Sequence, residues 1–384
     1  MAPKSTEKVQ TDRNPLIALL ADHLQGRPSQ AAMTPKLRTC ARDHQVTGIL
    51  YHQLRDPALE QDYYYTLYQY KNRQAIEREI GQILDADGMR YFWVKGMEVA
   101  ALYPVPALRT MGDSDIVVED VERAFRLLKQ HGYTFERDVF PCEWPCYKNG
   151  LRVELQSRLA YTGSEALLVF FNTCWQHESG HHLDWSFHFI YLLEHLRKHL
   201  VHEGVGYRQF LDLAVVLQRA GDQLDWPWIR QQLQALELWR YAEVCLALVH
   251  RWFEVELPVE VPPLTDEFCA FAAERTLKNG VFGYSNPDEN PTHGISLEKS
   301  ESGTRAARAL RRFRRTVFPS YHQLIVWSEY RFLKGRPYLL PVCWVYRLLR
   351  AALQPAKWRR LKADAAADRS LLAQKNEELR QWGL

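Results

Sequence analysis

The period of the apolar positions changes several times along the chain, and the changes divide it. Residues 1–14 carry almost no apolar pattern and read as a disordered leader. From Pro15 the spacing of Leu16, Leu19, Leu20 and Leu24 predicts short amphipathic helices, and Asp62 to Met89 reads as one long helix with few breakers. Residues 15–90 are therefore expected to form a helical layer on a sheet. Tyr91–Val94 is a run of β-formers broken by Lys95-Gly96; Met97–Tyr103 has helical composition, and Pro104 and Pro106 stop it. Asp113-Ser114-Asp115 then leads into the apolar run Ile116–Val118. Glu119–His131 predicts a helix closed by Gly132, Tyr133–Arg137 a strand, and Cys146–Gln156 two β-like runs joined by the hairpin signal Asn149-Gly150.

Beyond residue 160 the period is helical. Leu183–Phe253 is interrupted at Gly204-Val205-Gly206, Gly221-Asp222 and Trp226-Pro227, and residues 161–256 are expected to form a helical domain. Leu257–Pro263 is a proline-rich link, Asn279–Thr304 a long polar loop, and residues 305–384 a basic helical tail. With 91–160 holding the strands, the expected fold class is α+β: a small mixed sheet between an N-terminal helical layer and a larger C-terminal helical domain.

Composition fits a globular protein, since 46% of the 384 residues are apolar and 12% aromatic, enough for more than one core. The polar opening MAPKSTEKVQTDRN lacks a signal-peptide pattern, and no run of about 18 uncharged apolar residues occurs, so the cytosol is the expected location. Seven scattered cysteines do not form a disulfide framework and read as reduced thiols. The formal charge of +3 hides an asymmetry: Arg305–Lys362 holds fifteen Lys/Arg against the single acid Glu329, leaving the rest of the chain net negative.

Chemistry concentrates between Tyr91 and Gln156. Backbone N–H groups at a helix start, with the Lys95 cation beside them, suit a phosphate. Alternation along a strand puts Asp113 and Asp115 on one face, where two hard oxygen ligands suit Mg²⁺. On the second hairpin strand Arg152, Glu154 and Gln156 share a face, so Glu154 can join the same site if the hairpin lies beside the Asp113 strand.

These residues resemble the uncharacterised bacterial nucleotidyltransferases of the DNA polymerase beta-like superfamily. The resemblance rests on Lys95-Gly96, Tyr103-Pro104, Arg109, Asp113-x-Asp115 and Glu154, and extends to Gly204-x-Gly206-Tyr207-Arg208-Gln209-x-x-x-Asp212-Leu213. It departs from the superfamily's usual pattern in the Lys-Gly turn, in Glu154 where Asp is usual, and in Gln156 where relatives often have His. The resemblance implies transfer of a nucleotidyl group from an NTP with release of pyrophosphate, at a site of two Mg²⁺ ions. It implies Asp113, Asp115 and Glu154 as catalytic residues and metal ligands, and Lys95, Gly96, Arg109, Ser114 and Arg208 as nucleotide-binding residues. The acceptor stays open among a small molecule, a saccharide and a protein hydroxyl. A non-catalytic nucleotide-binding or interaction protein built on the basic tail is the alternative.

Other features carry less. His177/His181 and His195/His199 have the i,i+4 spacing of zinc ligands on a helix, but no His-Glu-x-x-His pattern accompanies them, and polar core or substrate-contact histidines are the preferred reading. Arg208 and Asp212 have the spacing of a helix ion pair. The tyrosines Tyr63, Tyr64, Tyr65, Tyr68 and Tyr70 are read as core or interface. For the tail, basic residues interleaved with aromatics suggest an anionic membrane surface as partner rather than nucleic acid, with docking on the protein's own acidic face as the competing explanation.

Overall fold

Among the described residues seven strands form one mixed sheet. They are β1 (Tyr91–Val94), β2 (Asp113–Val118), β3 (Thr134–Phe135), β4 (Glu143–Lys148), β5 (Leu151–Gln156), β6 (Glu178–Ser179) and β7 (His182–Leu183). Their spatial order is β3-β4-β5-β2-β1-β7-β6. The structure is a computed structural model and describes residues 14–136, 143–160, 164–202, 204–281, 318–324, 328–333, 335–352 and 369–384. The turn between β4 and β5 follows from Asn149-Gly150, which take positive φ of 52° and 75°, as a tight hairpin requires. The pairing of β2 with β5 is parallel, whereas β1 with β2 and β4 with β5 are antiparallel.

Helices cover both faces of the sheet, which makes the architecture α+β, as expected. On one face Tyr91, Trp93, Ile116, Val118, Val153 and Leu155 pack against Ile76, Ile80 and Leu84 of the long helix α4 (Glu60–Ala86) and Ala124 and Leu128 of α6 (Val121–Gln130). The other face contributes Phe92, Val94 and Val117 to a larger core. That core is built mainly from α8 (Trp185–His202), α9 (Tyr207–Ala220), α10 (Trp226–Ala235) and α11 (Trp239–Phe253).

Two boundaries differ from expectation. Of the N-terminal helices α4 packs on the Tyr91 and Trp93 face of the sheet, whereas Leu16, Leu19, Leu20 and Leu24 of α1 (Pro15–Leu24) join the larger core that holds the C-terminal helices and the opposite sheet face. The apolar stripe on α1 was visible in the sequence, but its partner is about 230 residues away. The end of the chain is not part of a basic tail either. In the helix Arg369–Gln381, Leu379 enters the same large core as the fully buried Trp382, Glu378 pairs with Arg275, and Lys375 donates to the Leu200 carbonyl. Most of the polar loop Asn279–Thr304, and the cations from Arg305 to Arg315, lie outside the described residues. Tyr64, Tyr65 and Tyr68 are 58–62% exposed on α4, so they are not core. The six described cysteines are free thiols.

Candidate active site

Strand alternation places Asp113, Asp115 and Val117 on one face of β2 and Ser114, Ile116 and Val118 on the other. The parallel register sets Asp113 beside Arg152, Asp115 beside Glu154 and Val117 beside Gln156. Three acids predicted from separate stretches are thereby brought to one face. Glu143, at the start of β4 and in register with Gln156, adds a fourth carboxylate to the same cleft. It escaped the sequence reading because Glu143-Trp144-Pro145 looks like loop.

The acids are held by neighbouring donors. Asp115, 3% exposed, accepts from Gln156 Nε2 at 2.7 Å through Oδ1, and its Oδ2 lies 2.7 Å from Lys95 Nζ. Glu154 Oε1 is 2.5 Å from Arg152 Nη2. Burial, then the charges of Asp115, Asp113 and Glu143, push the Glu154 carboxyl up to about 8, against the pull of Arg152. Burial raises Asp115 as well, although Lys95 works in the opposite direction. Burial disfavours the Lys95 charge, but Asp115 outweighs it and holds the ammonium above its ordinary range. Among the described residues no three His, Cys, Asp or Glu side chains converge closely enough to enclose an ion. The donor set nevertheless fits a hard divalent cation in kind, because its carboxylates repel one another on a shared face.

The Lys95-Gly96 turn has an unusual backbone. Lys95 sits at φ 55°, ψ −116°, a strained conformation for a residue with a side chain. Its N–H donates to His188 Nε2 of α8 at 3.0 Å, so that group is already bonded within the protein. The helix after it, α5 (Gly96–Ala100), has five residues rather than the predicted longer run, and its dipole is correspondingly small. From the other side Arg109 Nη1 donates to the Gly96 carbonyl at 3.0 Å. The rest of the Arg109 guanidinium makes a bidentate pair with Asp212, at 2.8 Å through both Nε and Nη2, and Tyr103 adds its hydroxyl to Asp212 at 2.7 Å. Arg109 therefore anchors the turn to α9. Asp212 serves Arg109 and Tyr103 and also lies near enough to Arg208 to favour its charge, while Arg208 Nη1 donates to the Thr110 carbonyl.

Ser114 does not fit its expected role. Its side chain lies on the opposite face, donating to Glu77 Oε1 at 2.5 Å and accepting from Arg73 Nη1 at 3.2 Å. Period-two alternation alone separates it from the acids. Arg73 also donates to the carbonyls of Met111, Gly112 and Arg152, which fixes the starts of both acid-bearing strands. Nothing in the local sequence of α4 marks Arg73 for this.

A cleft of about 520 Å³ contains Lys95, Gly96, Asp113, Asp115, Glu154 and Arg208. Its far wall is α8 and the start of α9. There Tyr191, His195 and His199 follow the spacing of one helix face, and His195 and His199, expected to be polar core or substrate-contact histidines, line the cleft. His195 and His199 approach at 3.1 Å between Nε2 atoms. Burial and the nearby Lys95 keep His195 in the neutral form. His177 and His181 are not on one helix: His177 is 2.6 Å from Asp184, and His181 stacks on Tyr91. Gln209, 7% exposed, accepts from the Gly206 N–H, which leaves its Nε2 as a buried donor lacking a partner among the described residues.

The model of a family described as uncharacterised nucleotidyltransferase matches residues 31–254, more than half of the chain. The chain belongs to this nucleotidyltransferase family. No curated protein matches it, and no solved structure does. The nucleotidyltransferase span includes the whole cleft, from Lys95 to Asp212, and both helices of its far wall. It stops at the end of α11 and excludes the segment rich in cations.

Proposed function

We propose that the cleft transfers a nucleoside monophosphate from an NTP to a hydroxyl or phosphate acceptor and releases pyrophosphate. The observation that carries this reading is the in-register pair Asp115 and Glu154, with Asp113 beside them, facing the Lys95-Gly96 turn. Asp113, Asp115 and Glu154 would hold Mg²⁺, which supplies neutralisation of phosphate charge and polarisation of the reacting oxygens. Lys95, released from Asp115, can pair with a phosphate oxygen, and Arg208 adds a second cation on the α9 wall. Gln209 Nε2 offers a neutral donor to the same ligand. The acceptor oxygen attacks the α-phosphorus, the bond to the bridging oxygen breaks, and pyrophosphate carries away the electron pair. The acceptor's proton passes to Glu154 or Asp115, the carboxylates closest to the reacting face. The acceptor is a group on a small molecule, a saccharide or a protein.

One observation favours a non-catalytic nucleotide binder instead: both oxygens of Asp115 are engaged, by Lys95 and Gln156. Incubation with each NTP labelled at the α-phosphate, Mg²⁺ and cell extract separates the two. Transfer of the label with stoichiometric pyrophosphate, lost in Asp113→Asn, supports the enzyme. Nucleotide binding with no metal-dependent pyrophosphate release supports the binder.

A further inference from the structure

Six of the ten exposed large apolar side chains among the described residues fall between Phe318 and Tyr346, outside the span matched by the family. They are not spread at random. The helix Leu340–Ala352 buries Cys343 and packs Leu340 and Trp344, with Leu339 just before it, against a small separate core of Leu324, Tyr330 and Leu333. Trp344 Nε1 donates to the Pro319 carbonyl at 2.9 Å, and Arg347 lies over the Tyr330 ring, so this face is occupied by the segment's own packing. The opposite face points outward: Tyr338 is 73%, Val342 60%, Val345 58% and Tyr346 45% exposed. Positions 342, 345 and 346 of this helix fall within an arc of about 100° on a helical wheel, the width of an apolar stripe that normally meets a core, and Tyr338 stands in the short turn Pro337–Leu339 just before it.

Cations surround the stripe in sequence. Arg336 is exposed just before it, Arg347 and Arg350 follow, and Arg305–Lys362 as a whole holds fifteen Lys/Arg against Glu329. A helix of 13 residues is about 20 Å long, shorter than the roughly 30 Å hydrocarbon core of a bilayer. Among the described residues no helix is long and apolar enough to cross a membrane. An exposed apolar face within a cation-rich stretch of sequence, on a helix too short to span, is the pattern of a helix that lies in the lipid interface. Nucleic acid fits less well, because Val342 at the centre of the stripe and Val345 at its edge offer neither a stacking face nor a hydrogen bond to a base.

We propose that the Tyr338–Tyr346 face seats the protein on an anionic lipid surface, its apolar side chains entering the headgroup boundary while the surrounding Lys and Arg residues meet acidic headgroups. Electrostatic attraction brings the segment to the surface, and Tyr338, Val342, Val345 and Tyr346 hold it there. This attachment is independent of the chemistry in the cleft.

The test is co-sedimentation of the full chain with vesicles of equal parts phosphatidylglycerol and phosphatidylcholine, and with phosphatidylcholine alone, at low and at near-molar salt. Pelleting with the acidic vesicles, largely reversed by salt and weak with the neutral ones, is expected. Val342→Asp/Val345→Asp should lower binding at least tenfold with an unchanged melting temperature, because both side chains are exposed, and Arg336→Glu should lower it less. Absence of pelleting, or full binding by the double variant, overturns the proposal. Sedimentation velocity covers the remaining occupant: a wild-type dimer that the double variant converts to monomer, with neither binding vesicles, would assign the face to a second copy of the chain and equally overturn it.

Discussion

Asp115 Oδ2 lies 2.7 Å from Lys95 Nζ, so an acid expected to hold metal and a cation expected to hold phosphate are each other's partner. The pair is nearly enclosed, with Asp115 3% and Lys95 14% exposed at their side chains. Removing Asp115 alone therefore strands a buried ammonium. Asp115→Ala should cost about 3–5 kcal/mol of stability, whereas Asp115→Ala/Lys95→Met should recover most of that loss without restoring nucleotide turnover. Denaturant unfolding of the two single variants and the double variant checks the cycle. Asp113→Asn, at a position with no such partner to strand, should keep wild-type stability and lose turnover.

The same contact makes Lys95 compete with a divalent cation for Asp115. Lys95→Met should bind Mn²⁺ alone more tightly than wild type, measured by electron paramagnetic resonance of free Mn²⁺, yet show a raised KM for NTP because a phosphate partner is gone. Movement of both quantities in the same direction would separate Lys95 from one of the two roles.

Glu154 gives a pH prediction with a definite sign. Its carboxyl is raised from 4.5 to about 8, so between those values the folded protein holds a proton that the unfolded chain has released. Stability contributed by this group is complete below pH 4.5 and is lost as pH rises toward 8. Glu154→Gln, which keeps the shape without the charge, should gain in melting temperature relative to wild type across that window and show the smallest advantage at its acidic end. Saturating Mg²⁺ should reduce the difference by stabilising the wild-type carboxylate. A pH-independent difference would mean that the Arg152 pair, not the carboxylate cluster, governs Glu154.

His188 acts on the backbone rather than on the ligand. Burial, with Arg109 and Lys95 nearby, lowers its pKa to about 3, so the ring is neutral at ordinary pH and its Nε2 accepts from Lys95 N–H throughout. His188→Ala should relax the strained Lys95 backbone, raise the KM for NTP and leave the shape of the pH–rate profile unaltered. A change in the profile would give His188 a proton to carry.

How much of this was legible follows from the kinds of signal involved. Strand alternation and the Asn149-Gly150 turn gave β2, β4 and β5, and alternation on the two strands carries Asp113, Asp115 and Glu154 to one face once the strands pair. Ser114 was misplaced because motif reading took three adjacent residues as a unit, although the same alternation turns the middle one away. Arg109 lines the cleft as expected of a ligand-facing cation, but its carboxylate partner, Asp212, was out of reach of a local reading, 103 positions along the chain. Arg73 and Glu143 were missed for similar reasons: one acts from the interior of a long helix, and the other stands in a stretch whose proline masks the strand.

The ties between the two walls of the cleft bear on how a substrate enters. Arg109 joins the turn to α9 through a buried bidentate pair, and the Lys95 amide joins it to α8 through His188. Opening the cleft by swinging the helices off the sheet would first have to separate the buried Arg109–Asp212 pair and the Lys95–His188 hydrogen bond. Both walls are thus tied to the Lys95-Gly96 turn, one through a neutral ring and one through an ion pair. With those ties kept, entry to the cleft falls to side chains such as Lys95, and the proposed acceptor would have to present a narrow projecting group to the acids.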